Sequence, residues 1–360
     1  MSAMAKKILI IGSGIIGASL AYHLAVKHAE VTVLEANESV GGVATPNTWA
    51  WINASWGNPQ AYVKLRMAAM AMWRPLATVH PKLAVNWCGG LLWDLDEAEL
   101  VEYVRHQASM GYDVRLVDQT QANRLEPHLI EPPKLAAYSN AEGMIEPSDA
   151  VNGFVQAAEA LGVKFISGQS VSQFMMSNGR VVGVKCGDAF WPADEVILAT
   201  GAATNSLLEY IDVKLKLDSP AGLLVHTHAT AKKLNGLVMS PEFHVRQTNK
   251  GRMVLGSDFG GTQPGDDPAA TAAAILAKLP DLISGTAGLE MEYFTLGYRP
   301  TPGDGFPAIG RPKNIDGLYV AVTHSGITLA PAIGAFGATE ILDGARHELL
   351  ADYHPDRLIA

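Results

Sequence analysis

The sequence predicts an α/β layer of parallel strands with an antiparallel β-sheet domain inserted into it, and three observations carry that prediction. Residues 6–35, KKILIIGSGIIGASLAYHLAVKHAEVTVLE, place two short apolar runs around a helical pattern, the layout of a βαβ unit. Between Ala221 and Leu296 the pattern changes to longer alternating runs, the mark of antiparallel strands with one wet face. From Leu318 a buried strand and then a long apolar helix restore the first style. The chain thus divides into a discontinuous α/β part, 1–56, 143–215 and 297–360, and an inserted part, 57–142 and 216–296.

The first unit is the most explicit. Ile8–Ile11 reads as a buried strand, and Gly12-Ser13-Gly14-Ile15-Ile16-Gly17 is a G-x-G-x-x-G turn. A helix follows from Ile15 to about Lys27, then a second strand, Val31–Leu34, closed by Glu35 and Ala36. Each part has a physical job. Gly12 permits the tight turn, Gly14 lets the backbone approach a pyrophosphate, and Gly17 lets helix and strand pack closely. The helix N-terminus offers unpaired N–H groups and a positive dipole end to phosphates. Glu35 accepts hydrogen bonds from a ribose diol and repels a 2′-phosphate. The small residues and hydroxyls of 41–48, with Gly42, Ala44, Thr45 and Thr48, suit a loop that wraps the phosphates. Trp49, Trp51 and Trp56 follow; they either pack the core or wall a flat cofactor or substrate.

Farther on, helices are expected over Gln60–Met72, ending at Pro75, over Asp96–Met110, and over Gln119–Leu129. Pro147–Leu161 is another, with Ser148 able to cap it. A strand is expected at 163–167; strands at 171–176 and 180–186, joined by Asn178-Gly179 as a hairpin turn, and a third short one near Phe190-Trp191 make a meander. Glu195–Leu198 leads into the turn of Thr200, Gly201 and Ala202. In the inserted part, strands are expected at 223–229, 243–248, 252–257 and 289–296, with a helix from Pro268 to Leu279 capped by Asp266 or Asp267. Gly326–Leu342 is the last helix.

Composition narrows the function classes. The 360 residues are 48% hydrophobic and 18% charged, enough apolar content for a large core. The net charge of −9 argues against a nucleic-acid partner, which demands a basic face. Cys88 and Cys186 lie far apart, form no metal-type pair and fit a reducing, cytoplasmic setting. Lys6 and Lys7 before an apolar run imitate a secretory leader, but the glycine turn accounts for the run and no A-x-A site follows. The stretch 321–342 has the length of a membrane span, yet His324, Pro331 and several glycines mark it as a buried helix region.

Several motifs together resemble the flavin-dependent D-amino-acid oxidase family, the glycine oxidase and sarcosine oxidase group. They are IGSGIIG with Glu35, the loop at Ala44, Thr45 and Thr48, GMIEPSDAV at 143–151, GQSV ending on Val171, and ILATGAAT at 197–204. GYRPTPGDGFPAIGRP at 297–312 and VTHSGITLAPAIG at 322–334 complete the set and are the most specific. The resemblance covers nearly the whole chain. It implies FAD, a Rossmann-like FAD-binding domain with an inserted antiparallel-sheet substrate domain, and oxidation of a carbon–nitrogen bond. It places Gly12, Ser13, Gly14, Ile15, Ile16 and Gly17 at the pyrophosphate, Glu35 and Ala36 at the adenosine ribose, and Val171 at the adenine edge. Thr200, Gly201 and Ala202 pass the middle of the cofactor, and Ser325, Gly326, Ile327 and Thr328 start a helix aimed at the flavin pyrimidine. No histidine lies in 41–56 and neither cysteine is near the C-terminal motif, so the FAD is expected to be non-covalent.

The substrate side departs from the pattern. Arg299 matches the family arginine that binds a substrate carboxylate as a fork. Where glycine oxidase has a tyrosine and a second arginine, this chain has His244 and His324. Each histidine could donate a hydrogen bond or act as a pH-sensitive charge; His324 is expected to face the active site and to tune the protonation of an amine or steer its approach, and His244 either joins it or is a surface strand residue. The expected reaction sets the substrate α C–H about 3–3.5 Å from flavin N5, passes a hydride, and releases an imine that hydrolyses to a carbonyl compound plus ammonia or an amine. Oxygen or another electron acceptor reoxidises the flavin. Two rivals stand: an FAD-carrying subunit of a larger dehydrogenase complex, and an NADPH-dependent hydroxylase, against which the lack of a second G-x-G-x-x-G counts. Neither a metal nor a membrane partner is expected, and oligomeric state is unreadable.

Overall fold

A computed structural model describes residues 6–55, 57–258 and 260–359; Trp56, one of the three tryptophans expected near the cofactor, lies outside them. Lys7–Ile11 is central in a six-stranded sheet. Glu30–Leu34 and Glu195–Leu198 flank it, both parallel to it. Lys164–Ile166 extends one side, and Leu318–Val322 then Ala308–Gly310 the other; the last pair alone is antiparallel. Three distant stretches of chain therefore build one sheet. Its strands are apolar throughout because both faces are covered. Ile8 and Ile10 point into the helical layer, while Leu9 and Ile11 meet Phe174, Val181 and Val184 of the meander on the opposite face.

That meander comprises Gln173–Ser177, Arg180–Cys186 and Ala189–Pro192. Its first turn holds Asn178 at φ 49° and Gly179 at φ 77°, the two positive values that a tight hairpin turn requires.

The helical layer is led by Ile15–Val26 and Gly326–Asp343, which pack side by side. Gly334 makes the crossing close, because a Cβ there would collide with Ser19, whose Oγ donates to the Ala330 carbonyl at 2.6 Å. Gln60–Val79 runs along the other flank of the last helix. It continues through Pro75 and does not stop there. Pro75 is solvent-exposed, so the backbone carbonyl its ring strips of a partner can turn to water. Pro331 poses the same problem in a buried place, inside Gly326–Asp343. The carbonyl deprived of its helical partner is that of Ile327, and the indole N–H of Trp73 donates to it at 3.2 Å. Ser148 does not cap its helix: Pro147–Glu159 begins one residue earlier, with Pro147 at its first position.

The inserted domain is an eight-stranded sheet in the order Met291–Tyr298, Ala221–Thr227, Met253–Gly256, His244–Gln247, Leu237–Met239, Gly90–Leu92, Leu135–Ser139 and Arg115–Asp118. Only Leu237–Met239 and Gly90–Leu92 pair in parallel. The expected wet face is absent from its centre. Leu224, Met239 and Val254 enter the main core, while Leu223, Val225 and Leu255 pack with Ala272 and Ile275 of the helix Pro268–Ala277. Among the described residues no helix is long and apolar enough to cross a membrane.

The close approach at the first turn can be tested. In Gly17→Ala the new Cβ would drive into the Gly12 carbonyl oxygen. Overpacking of this kind costs about 1–3 kcal/mol, so a fall in Tm of roughly 1–4 °C is expected in a thermal scan of a chain this long. An unchanged Tm would show that helix and strand do not meet there.

Candidate active site

The strands of the parallel sheet end at a cleft of about 800 Å³. It runs from Glu35 and Ala36, past the glycine turn, to the N-terminus of Gly326–Asp343. Of the residues singled out in the sequence, Gly12, Gly14, Ile15 and Ile16 line its first half, with Gly42, Ala44, Thr45, Thr48 and Val171. Thr200, Gly201 and Ala202 line the middle, and Arg299, His324, Ser325, Gly326, Ile327 and Thr328 the far end. Ser13, Gly17 and His244 are not on its surface.

The near end is built by backbone proximity. A Cβ on Gly42 would stand 2.9 Å from the Gly14 Cα, so the 41–48 loop closes on the turn only without one. Helix Ile15–Val26 has no side-chain cap of its own; Thr45 Oγ1 supplies it from the loop, accepting from the Ile15 N–H at 3.1 Å. Ser13 works from behind. Its N–H and Oγ donate to Glu35 Oε2 at 3.0 and 2.6 Å, and its Oγ accepts from the Gly41 N–H at 3.0 Å. Glu35 Oε1 takes the N–H and the side-chain amide of Asn37 at 3.0 and 2.7 Å. A carboxylate has about four lone-pair sites, all engaged here, so any further hydroxyl donor would reach Glu35 only by displacing the rotatable Ser13 or Asn37 side chain.

The far end is a directional hydrogen-bond chain. Arg66 Nη1 donates to Ser325 Oγ at 2.6 Å. Ser325 Oγ lies 3.0 Å from His324 Nδ1, and His324 Nε2 lies 2.7 Å from the Gly305 carbonyl oxygen. A carbonyl only accepts, which assigns the ring proton to Nε2 and makes Nδ1 the acceptor of Ser325 and of Arg299 Nη2 at 3.4 Å. Burial, then the charges of Arg299 and Arg66, push the His324 pKa down to about 3. The imidazole is therefore a neutral, hydrogen-bonded brace for Arg299, so of its two expected roles the pH-sensitive charge is the one set aside. Burial also lowers the pKa of Arg299, which remains a cation because a guanidinium starts so high.

His244 is likewise reassigned. It is buried, 2.9 Å from Asp94 Oδ2, and its ring lies against Trp49, which does line the cleft. It supports the wall from outside.

Sequence reasoning passed over two features. Arg66 is one; a charge on the apolar face shared by Tyr62, Ala69 and Trp73 was the available signal. The other is Glu142, fully buried behind the wall, which accepts from Trp51 Nε1, Ser55 Oγ and Tyr112 OH at 2.8, 2.9 and 2.7 Å. Burial raises its pKa to about 7 against those hydrogen bonds.

The profile of a family described as FAD dependent oxidoreductase matches residues 7–338. The chain belongs to that family. Its cofactor is FAD. An uncharacterized oxidoreductase of Bacillus subtilis, YurR, is 26% identical over 377 residues, spanning 99% of this chain and 100% of its own. Glycine oxidase of Pseudomonas putida is 27% identical over 371 residues, 95% of this chain and 96% of that protein. The crystal structure of L-proline dehydrogenase from P. horikoshii shares the fold, with a TM-score of 0.88 at 24% identity over 98% of this chain and 97% of that one.

The His324 pKa of about 3 lies below the ordinary 6.5, so its neutral ring contributes stability that is present above pH 6.5 and is lost as pH falls toward 3. His324→Gln should therefore flatten the acid side of the stability profile. The His324 ring signals should stay constant in NMR spectra from roughly pH 9 to 5; a midpoint near 6.5 would contradict the buried brace.

Proposed function

We propose that this FAD-dependent oxidoreductase oxidises the carbon–nitrogen bond of an amino acid whose carboxylate is held by Arg299. The observation that carries the reading is the placement of that guanidinium at the cleft end formed by His324, Ser325 and Gly326. Glu35, at the opposite end, is the one carboxylate among the described lining residues, while Asp258, outside that lining, acts on the Arg299 guanidinium.

Gly12, Gly14 and the N–H groups of the Ile15–Val26 helix would hold the pyrophosphate, Glu35 the ribose, and the Val171 backbone the adenine edge. The Thr200–Ala202 turn passes the middle. The first N–H groups of Gly326–Asp343, from Gly326, Ile327 and Thr328, would face the flavin pyrimidine, where a helix N-terminus stabilises negative charge. Bound FAD supplies a hydride acceptor at N5. Arg299 orients the substrate through its carboxylate, and His324 Nδ1 fixes the guanidinium plane. Trp49, Trp51 and Leu224 wall the cleft with apolar surface and exclude water. The imine product hydrolyses to a carbonyl compound and ammonia or an amine. Oxygen or a second redox protein takes the electrons. We place the enzyme in the cytoplasm, where its two free cysteines, Cys88 and Cys186, would stay reduced.

Anaerobic mixing of the holoprotein with D-, L- and N-methyl amino acids and simple amines tests the reading. At least one amino acid should bleach the flavin, and simple amines should do so poorly. Bleaching by none would contradict it. Arg299→Ala should raise KM for that amino acid about 10- to 100-fold, as loss of a charge-assisted pair implies, with FAD content unchanged. An unchanged KM removes the role of Arg299.

A further inference from the structure

Arg66 is buried at 5% exposure on the inner face of Gln60–Val79. Its Nε donates to the Asn53 carbonyl at 2.9 Å, its Nη2 to Asn53 Oδ1 at 2.8 Å, and its Nη1 to Ser325 Oγ at 2.6 Å. The guanidinium also lies 5.3 Å from the Tyr62 ring centre. All of these partners are neutral. The salt bridges among the described residues do not include Arg66. The nearby acid, Glu142, takes its hydrogen bonds from Trp51, Ser55 and Tyr112 and none from Arg66, with which it interacts only across space.

A cation buried among neutral oxygens is costly to maintain. Here it lines the cleft one hydrogen bond from the N-cap of Gly326–Asp343, so its field adds to the positive end of the helix. Two sources of positive potential converge on one end of the cleft, and a bound group that gains negative charge there relieves the cost. We propose that Arg66 sets the reduction potential of the flavin by stabilising the negative charge that reduction adds. The proposal rests on the function inferred above. A hydride takes two electrons and a proton from the substrate carbon; the substrate leaves as an iminium cation, and one negative charge stays with the flavin. Arg66 favours the charged, reduced side of that exchange, independently of how Arg299 holds the substrate.

The test is the midpoint potential of bound FAD, measured by dye equilibration without substrate. Arg66→Met keeps much of the volume and removes the charge. It should weaken binding of reduced relative to oxidised FAD about tenfold, which for a two-electron couple is about 30 mV lower. Arg66→Lys retains the charge and should stay close to the wild-type potential. Asn53→Ala keeps the cation but loses a hydrogen-bond partner, and should also stay close. A wild-type potential in FAD-loaded Arg66→Met would reduce Arg66 to a brace for Asn53 and Ser325 and overturn the proposal. So would a drop in Arg66→Lys as large as the one expected for Arg66→Met, a comparison that stands even where Arg66→Met does not fold. Wild-type holoprotein that holds FAD but is reduced by no amino acid would instead overturn the proposed substrate class and leave the potential of Arg66→Met to decide this point.

Discussion

The cleft depends on backbone meeting backbone where side chains are missing. Gly12, at φ 96°, lies so close to Ala199 that a Cβ would stand 2.6 Å from its carbonyl oxygen. Gly42 closes on Gly14 with the same economy. These approaches bring the first strand, the 41–48 loop and the 195–202 segment to one edge, although they lie far apart in sequence. Ser13 then locks the arrangement by bridging Glu35 and Gly41. A side chain at Gly12 or Gly42 would meet backbone and hold the walls apart.

The far end is governed by a different physics, the satisfaction of buried polar groups. Pro331 strips a carbonyl in the last helix, and Trp73 from Gln60–Val79 restores its partner. Arg66, from the same helix, reaches Ser325 two turns below. One amphipathic helix therefore both repairs the last helix and charges its N-terminal end. The neutral ring of His324 carries orientation from the Gly305 carbonyl to Arg299 without titrating. The chemistry of this end is thus electrostatic and positional, which suits a reaction whose reactive atoms belong to the cofactor.

Local features were legible in the sequence; non-local ones were not. The βαβ unit, the Asn178-Gly179 turn and the helix from Pro268 each announce themselves through spacing and turn chemistry within a few residues. Gly90–Leu92, Arg115–Asp118, Leu135–Ser139 and Leu237–Met239 did not, since runs of three to five residues display no period. The wet face expected of the inserted sheet failed because the α/β part covers it, a contact that alternation along one strand does not encode. His244 and His324 share a residue type that invites catalytic readings. Asp94 and Gly305, distant in sequence, decide what each does. Arg66 was visible as a charge on an apolar face, but Asn53 and Ser325 give that charge its meaning.

The central claim is that the first βαβ unit cradles the adenine half of FAD while the Ser325–Gly326 corner meets its ring. The most direct measurement is titration of the apoprotein with FAD and, separately, with FMN, which keeps the ring and lacks the adenosine. FAD should bind at one per chain, with FMN at least about a hundredfold weaker, since loss of the adenosine contacts forfeits roughly 3 kcal/mol. FMN binding as tightly as FAD, or binding of neither, would contradict the claim.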